Sequence, residues 1–383
     1  MADNEFFDAL RVRFSWGQSG NTAIDPYQTL GLLGRTTYAF GGNAGFGYRP
    51  AQLSNPDLKW ETTSTYNLGV EFEVFNARLS GAVDAYLANT TDLLLQRQIP
   101  FTSGFGSVLE NIGATRNKGI ELSLTSVNID SEDPNGFRWT TNFNMAYNDE
   151  EIVELFGGKE DDIGNEWFIG EAIEVFYDYE RLGIWQQDEA SEAAGYDQNP
   201  GEIKVRDQDG DGDIGGSDRV ILGQEQPKVT AGLNTQFSYR GWDLSVYLVG
   251  RFGSMIDSAP HTSGGINGLF GRYNNLAVNY WTPGNPTNRY PRPNQNQEFP
   301  IYGSTLGYFS GNFVKIRSAT LSYSLPSSIL ERVNAQALRF YVTAEQPFIF
   351  APYVQNHLGI DPEYPEVNTP STRSFRLGVN LTL

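Results

Sequence analysis

The chain has 383 residues, 39 % of them hydrophobic, and a mean hydropathy of −0.41. It holds no apolar run near the roughly 18 residues of a helical span, which excludes transmembrane helices. A net charge of −19 with no basic stripe excludes a nucleic-acid binder, and the absence of cysteine fits an oxidising envelope without requiring one.

The N-terminal Met1-Ala-Asp-Asn-Glu-Phe-Phe7 has neither a charged n-region nor an apolar h-region, so it is not a signal peptide. The expectation is a chain belonging to a longer precursor. From there on, segments of strict apolar–polar alternation dominate, the signature of strands with one greasy and one polar face. The first runs near Leu10–Gly17, with Val12, Phe14 and Trp16 on one face. The second is Thr65–Phe75, where Tyr66, Leu68, Val70, Phe72 and Val74 oppose Asn67, Gly69, Glu71 and Glu73. Phe75-Asn76-Ala77-Arg78 reads as a tight turn into a third strand through Leu79, Val83 and Leu87.

Gly119–Ile129 and Phe137–Tyr147 alternate in the same way, and a less regular strand is expected around Ala172–Trp185. Val229–Tyr239 and Trp242–Val249 form a hairpin about Arg240-Gly241. Phe313–Leu325 changes phase between Ile316 and Ala319, which predicts a bulge. Leu338–Ala344 and Ser374–Leu383 complete the series.

Short connections at Asn76-Ala77, Ser131–Gly136 and Arg240-Gly241 contrast with long ones at Thr22–Asn55, Gln186–Gln226 and Gly250–Gly311. Ten-residue alternating strands, short turns on one side and long loops on the other match a transmembrane barrel wall. The abundance of aromatic residues, 13 % of the chain, fits girdles at the membrane interfaces. The alternative is a soluble β-sandwich or propeller. Against it, the polar face mixes Glu, Asp, Asn, Ser and Gly with few Lys, unlike a water-facing sheet. Glutamates such as Glu71 and Glu73 would be costly in a dry core and comfortable in a watery lumen.

The segment 207–218 matches a twelve-residue calcium loop. Asp207, Asp209 and Asp211 hold positions 1, 3 and 5, Gly212 the sharp turn, and Asp213 the backbone-carbonyl position. Asp218 stands where an EF-hand has a bidentate Glu, one methylene short. The flanks, Gly201–Val205 and Arg219–Gly223, read as extended, so a structural Ca2+ is expected rather than a sensor.

Other chemistry is thin. His261 and His357 lie in loops and read as exposed; no Ser/His/Asp spacing, thiol nucleophile or phosphate-cradling motif is present, and nothing singles out a glycosidase pair among the many carboxylates, so no enzyme is expected. The stretch Gly268–Arg292 carries Phe270, Tyr273, Tyr280, Trp281 and Tyr290. Such rings either stack on a ligand or anchor the loop, and the anchoring reading is favoured.

A set of motifs now falls in one order: Asn55-Pro-Asp-Leu-Lys-Trp-Glu61, Leu93-Leu-Leu95, Gly104-Phe105, Glu110-Asn-Ile-Gly, Asn117-Lys-Gly-Ile-Glu121 and Asp218-Arg-Val-Ile-Leu-Gly223. Tyr239–Val246, Asn279-Tyr-Trp-Thr-Pro283, Val314-Lys-Ile-Arg, Leu338-Arg-Phe-Tyr-Val342 and Asp361-Pro-Glu363 follow. In this order they resemble the C-terminal part of SusC/RagA-type TonB-dependent outer-membrane transporters, across nearly the whole chain. The resemblance implies an all-β fold: a large antiparallel barrel of about 22 strands around a plug, with long extracellular loops. Residues 1–383 would supply about ten of those strands, and 207–218 an EF-hand-like loop within them. The plug and the first barrel half would lie elsewhere. The chain ends on Leu383, where related barrels usually end on an aromatic residue.

The resemblance implies active import of a large nutrient, an oligosaccharide or a peptide, across the Gram-negative outer membrane. A SusD-like surface lipoprotein would act as lid, TonB would act through the missing N-terminal part, and outer-membrane lipid would surround the wall. Glu71, Glu73 and Asp84 would line the cavity, and Tyr273, Tyr280 and Trp281 would offer ligand contacts from the loops. A soluble or barrel-anchored, calcium-stabilised glycan-binding or adhesion protein without transport is the alternative.

Overall fold

The alternating segments become ten strands of one antiparallel sheet in a computed structural model that describes residues 6–22, 24–156, 158–262, 278–294, 299–333, 335–356, 360–365 and 371–383. They are β1 (Phe7–Asn21), β2 (Glu61–Val74), β3 (Leu79–Thr91), β4 (Ala114–Ile129) and β5 (Arg138–Glu154). After a long loop come β6 (Val229–Tyr239), β7 (Trp242–Phe252), β8 (Phe313–Ser324), β9 (Ala337–Phe350) and β10 (Ser374–Thr382). Each pairs with its predecessor and its successor in chain order, so the sheet is an up-and-down meander with β1 and β10 at its two edges. The arc is open: the sheet does not close on itself among the described residues.

The register keeps every apolar face aligned. Leu68, Ala85, Ile120 and Tyr147 share one row, and Trp242, Tyr323, Phe340 and Val379 another. These faces are uncovered. Leu377 is 85 % exposed and Phe14 69 %, and the remaining described sheets are two-stranded ribbons in the loops. A soluble sandwich would bury such residues against a second sheet. In hydrocarbon each Leu, Val or Phe contributes about 1.5–3 kcal/mol relative to water.

The apolar band has visible limits. At the short-turn rim, outward-facing rings meet in pairs, Trp139 with Phe237 at 5.6 Å and Trp242 with Tyr323 at 4.8 Å between centroids. Rings paired at one rim are what an interfacial girdle requires. At the long-loop rim the outward positions turn charged: Lys118 pairs with Asp149 at 3.2 Å and Arg116 with Glu151 at 3.0 Å.

Two turn readings hold with a physical cause. Phe75, Asn76 and Ala77 all take positive φ, and Arg240 and Gly241 do likewise, at 47° and 81°, the twist a two-residue hairpin needs. The bulge falls as expected: β8 slips between Ile316 and Ser318 against both β7 and β9, restoring Ala319 to the outward face.

The less regular strand expected around Ala172–Trp185 is two short strands, and neither belongs to the wall. The segment splits into Val175–Tyr179 and Arg181–Ile184, which pair with Arg219–Gln224 and Ile203–Val205 inside the long loop between β5 and β6. Its lack of strict alternation reflects this: it serves a small loop-layer core rather than a two-faced wall. That core joins Ile184, Ile203, Val205, Trp281, Tyr290 and Leu306 from two loops.

Candidate functional site

On the polar face of the wall the register sets Glu71 opposite Arg11, Glu73 opposite Ala9, and Gly69 between Arg13 and Asp84. Sequence reading placed Glu71, Glu73 and Asp84 on one face, and the structure does too. It adds their partners. Arg11 Nη1 lies 3.2 Å from Glu71, Arg13 Nη1 2.9 Å from Glu71, and Arg13 Nη2 2.6 Å from Asp84. The alternation that put Val12 and Phe14 outward could have found both arginines, since it puts Arg11 and Arg13 inward. Glu71 and Asp84 are therefore neutralised wall groups, with Asp84 8 % exposed.

A second cluster on the same face was missed. Lys315, 1 % exposed, donates to Asp361 and, at 2.8 Å, to Glu363. Arg317 clasps both Glu363 oxygens at 2.8 and 2.9 Å, and Arg251 stands at 3.4 Å. The segments Val314-Lys-Ile-Arg and Asp361-Pro-Glu, read as separate motifs, are thus two halves of one ionic clamp that ties the β9–β10 loop to the wall. Burial opposes ionisation of Glu363, but hydrogen bonds from Arg317 and Lys315 outweigh it and hold the carboxyl down at about 2. Two other motifs also interlock: Asn111 accepts from the Lys59 amide at 2.8 Å and donates to its carbonyl at 2.7 Å, while Asn55 donates to the Leu109 carbonyl at 2.9 Å.

The acidic loop sits between two extended flanks, Ile203–Val205 and Arg219–Gln224, as expected. Asp207, Asp209 and Asp211 can each place one oxygen within 4.8 Å of the others, and Gly212 turns the chain at φ 89°. That is a fitting donor set for a hard cation. All five aspartate side chains accept backbone hydrogen bonds: Asp207 from Gly210 N and Gly212 N, Asp209 from Asp211 N, and Asp211 from Asp213 N. Asp213 Oδ1 accepts its neighbour's amide, Ile214 N, at 2.9 Å. Asp218, fully buried, accepts from Gly215 N and Gln208 N at 2.7 Å each. The Gly215 amide, followed after the cost of burial by the other backbone donors, keeps its carboxyl below the usual range.

The aromatic stretch divides. Phe270 and Tyr273 lie outside the described residues. Tyr280 is 45 % exposed. Trp281 is 4 % exposed and donates from Nε1 to Gln186 at 3.0 Å, so as a ligand platform it is corrected: its ring fills the loop-layer core. His357 also lies outside the described residues. The exposed reading of His261 is overturned, because the side chain is fully buried, with Nδ1 2.7 Å from Ser258 Oγ and Phe309 and Tyr353 around it. Ser258 and Tyr353 come from different loops, and nothing local in sequence signals that the turn holding His261 is roofed.

An open antiparallel arc with an uncovered apolar face, a charged polar face and long loops at one rim defines the wall of an outer-membrane-type β-barrel. Residues 4–169 match the family model described as TonB dependent receptor-like, beta-barrel. The whole chain is 31 % identical over 414 residues to TonB-dependent receptor P3 of Formosa agariphila and 28 % identical over 409 residues to TonB-dependent receptor SusC of Bacteroides thetaiotaomicron. It covers 40 % and 38 % of them, so the chain spans about 40 % of the length of the curated relatives it matches. The RagAB peptide importer in its open-open state superposes with a TM-score of 0.78 at 25 % identity, over all of this chain and 41 % of that one. The chain thus carries a TonB-dependent receptor β-barrel domain and is similar, over its whole length, to part of the SusC- and RagA-type receptors.

Proposed function

We propose that the protein resides in the outer membrane and imports a large nutrient, an oligosaccharide or a peptide, in a TonB-dependent manner. This chain supplies wall and outer loops. The observation that carries the reading is the inverted sheet: apolar residues outward and uncovered, ion pairs inward, in a chain alignable end to end with TonB-dependent receptors. A plug outside this chain receives the pull of TonB. A SusD-like lipoprotein covers the long-loop rim, a pairing supported by similarity to RagAB, itself named a peptide transporter. The protein moves its cargo unchanged and is no enzyme.

Ca2+ held by Asp207, Asp209 and Asp211 is part of this proposal, as a structural ion. Bound there, it would cancel repulsion among three carboxylates and stiffen the loop between β5 and β6. The soluble alternative would leave the Leu377 and Phe14 faces in water, an exposure soluble domains avoid.

The test is uptake by cells carrying the complete receptor as their sole route for a labelled oligosaccharide or peptide mixture. Accumulation should stop when the proton gradient is collapsed or TonB is deleted. Accumulation indifferent to both would overturn the import reading, and recovery of the intact receptor in the aqueous fraction would overturn the membrane location.

A further inference from the structure

Across β8, β9 and β10 the outward face carries a groove of about 380 Å³ that belongs neither to the ion pairs of the wall nor to the loop-layer core. Its lining takes the ring row Trp242, Tyr323 and Phe340 and, one row nearer the long-loop rim, the aliphatic row Leu321, Val342 and Leu377. The groove therefore runs between two rows of side chains, with the strand backbone as its floor. Among the described residues no second element roofs it: Trp242 is 49 % exposed and Phe340 45 %.

The short-turn rim beside this groove is cationic. The β6–β7 turn brings Arg240 there, with its guanidinium 5.1 Å from the centre of the Tyr239 ring. A Cβ on the next residue, Gly241, would stand 3.3 Å from the Tyr323 ring, so the turn abuts the ring row of the groove. On the other side, the β8–β9 connection folds into the helical turns Ser327–Leu330 and Glu331–Val333. It is tied back to the strand ends by Leu325 N donating to Leu338 O at 3.0 Å and Gln336 N to Thr382 O at 2.8 Å. It presents Arg332 and the exposed Ile329. Among the described residues neither Arg240 nor Arg332 has a carboxylate partner, whereas Arg138 at the neighbouring turn holds Asp130 at 3.4 Å. The contact with Tyr239 uses one face of the Arg240 guanidinium and leaves its in-plane N–H groups to donate.

The geometry points to a binding site for one glycerophospholipid of the periplasmic leaflet, with an acyl chain in the groove and its phosphate diester accepting from Arg240 and Arg332. Short turns face the periplasm in barrels of this type, and the Trp242–Tyr323 pair marks the level of the headgroups. A lipid at that height carries its phosphate to the turns and its chain up between the two rows. Uncompensated guanidinium groups in a chain of net charge −19 favour an anionic group there. The volume falls within the roughly 300–1,000 Å³ of ligand sites. Inorganic phosphate has no use for the apolar groove, and a fatty chain without phosphate has none for the arginines, so the two halves together specify a phospholipid. The chain contacts side chains on two sides instead of one flat face, so this lipid exchanges more slowly than its neighbours around the wall. The inference goes beyond import and rests only on the wall facing lipid.

The experiment strips the full-length receptor of lipid by detergent exchange, titrates it with dioleoylphosphatidylglycerol and counts bound lipids by native mass spectrometry. One phosphatidylglycerol is retained at concentrations where dioleoylglycerol, which lacks the phosphate, is lost. Arg240→Asn combined with Arg332→Gln weakens retention tenfold or more, and so does Val342→Trp, which fills the groove. Asparagine suits the left-handed backbone of Arg240, at φ 47°, so the pair of changes spares the turn. Leu233→Trp, outward on β6 and away from the groove, leaves retention unchanged. Equal retention of the diacylglycerol, retention undiminished by the arginine changes or by Val342→Trp, or an equal loss in Leu233→Trp overturns the site. Cargo uptake that proves independent of TonB while lipid retention follows the expected pattern removes the import reading and leaves the site standing.

Discussion

Arg13 and Asp84 meet on strands that are not neighbours in the sheet: the guanidinium Nη2 reaches over β2 to within 2.6 Å of the carboxylate. What lies beneath the bridge is Gly69, and a Cβ there would collide with both partners. Gly69→Ala is therefore expected to break the bridge or bend the strand, at a cost of about 1–3 kcal/mol typical of overpacking. Urea unfolding of the full receptor in lipid vesicles measures it. The cost should shrink in an Asp84→Ala background, where one collision partner is gone. An equal cost in both backgrounds would show that Gly69 acts through backbone freedom instead.

Leu377 sits midway along β10 with 85 % of its surface uncovered. If that face meets hydrocarbon, Leu377→Arg costs about 2–4 kcal/mol, the range for a cation near the bilayer midplane. The inward Asn380→Lys on the same strand should be nearly neutral. The same unfolding assay compares them, and similar small effects for both would mean that the outward face is wet.

The wall was legible because its rule is local. A period of two fixes face, and the phase slip between Ile316 and Ala319 announced the bulge without any neighbour in view. The loops obeyed no such rule. Whether Trp281 is platform or core depends on Ile184 and Ile203, contributed by another loop, and whether His261 is exposed depends on Tyr353. The clamp of Lys315 with Glu363 was visible only as two unrelated motifs, because charge complementarity between distant segments leaves no trace in periodicity.

The three carboxylates of Asp207, Asp209 and Asp211 converge, a repulsive arrangement that a divalent ion relieves. Alanine at Asp209 and Asp211 should lower the melting temperature measured in calcium and abolish the difference between calcium and chelator. Identical melting curves of the parent protein with and without chelator would count against a bound ion.

Glu363 is ionised in the folded protein down to about pH 2, below its ordinary 4.5. A depressed carboxyl stabilises the fold fully above the unfolded value, and loses that contribution as pH falls from about 4.5 to about 2. The shift corresponds to about 3 kcal/mol at neutral pH. Glu363→Gln should therefore cost stability at pH 7, where it also leaves Lys315 with Asp361 alone, and the gap between variant and parent should close on acidification. A gap that is constant between pH 7 and pH 3 would mean the clamp contributes through shape and not charge.

Tyr280 and Trp281 are adjacent in sequence and opposite in circumstance. Trp281 fills the space between Ile184, Ile203 and Leu306, and its indole lies so close to Gly201 that a Cβ there would stand 2.6 Å from the ring. Truncating it to alanine opens a cavity in the small core joining two loops, a loss of about 3–5 kcal/mol for a buried Trp. Tyr280 is half exposed, and its removal should change stability by no more than about 0.5 kcal/mol. Protease resistance of the outer loops in the intact receptor separates the two, since cleavage there follows local opening. Loops that are equally resistant in both variants, with cargo capture falling in Trp281→Ala, would return that ring to the list of ligand platforms, because only a contact with cargo would then explain the loss.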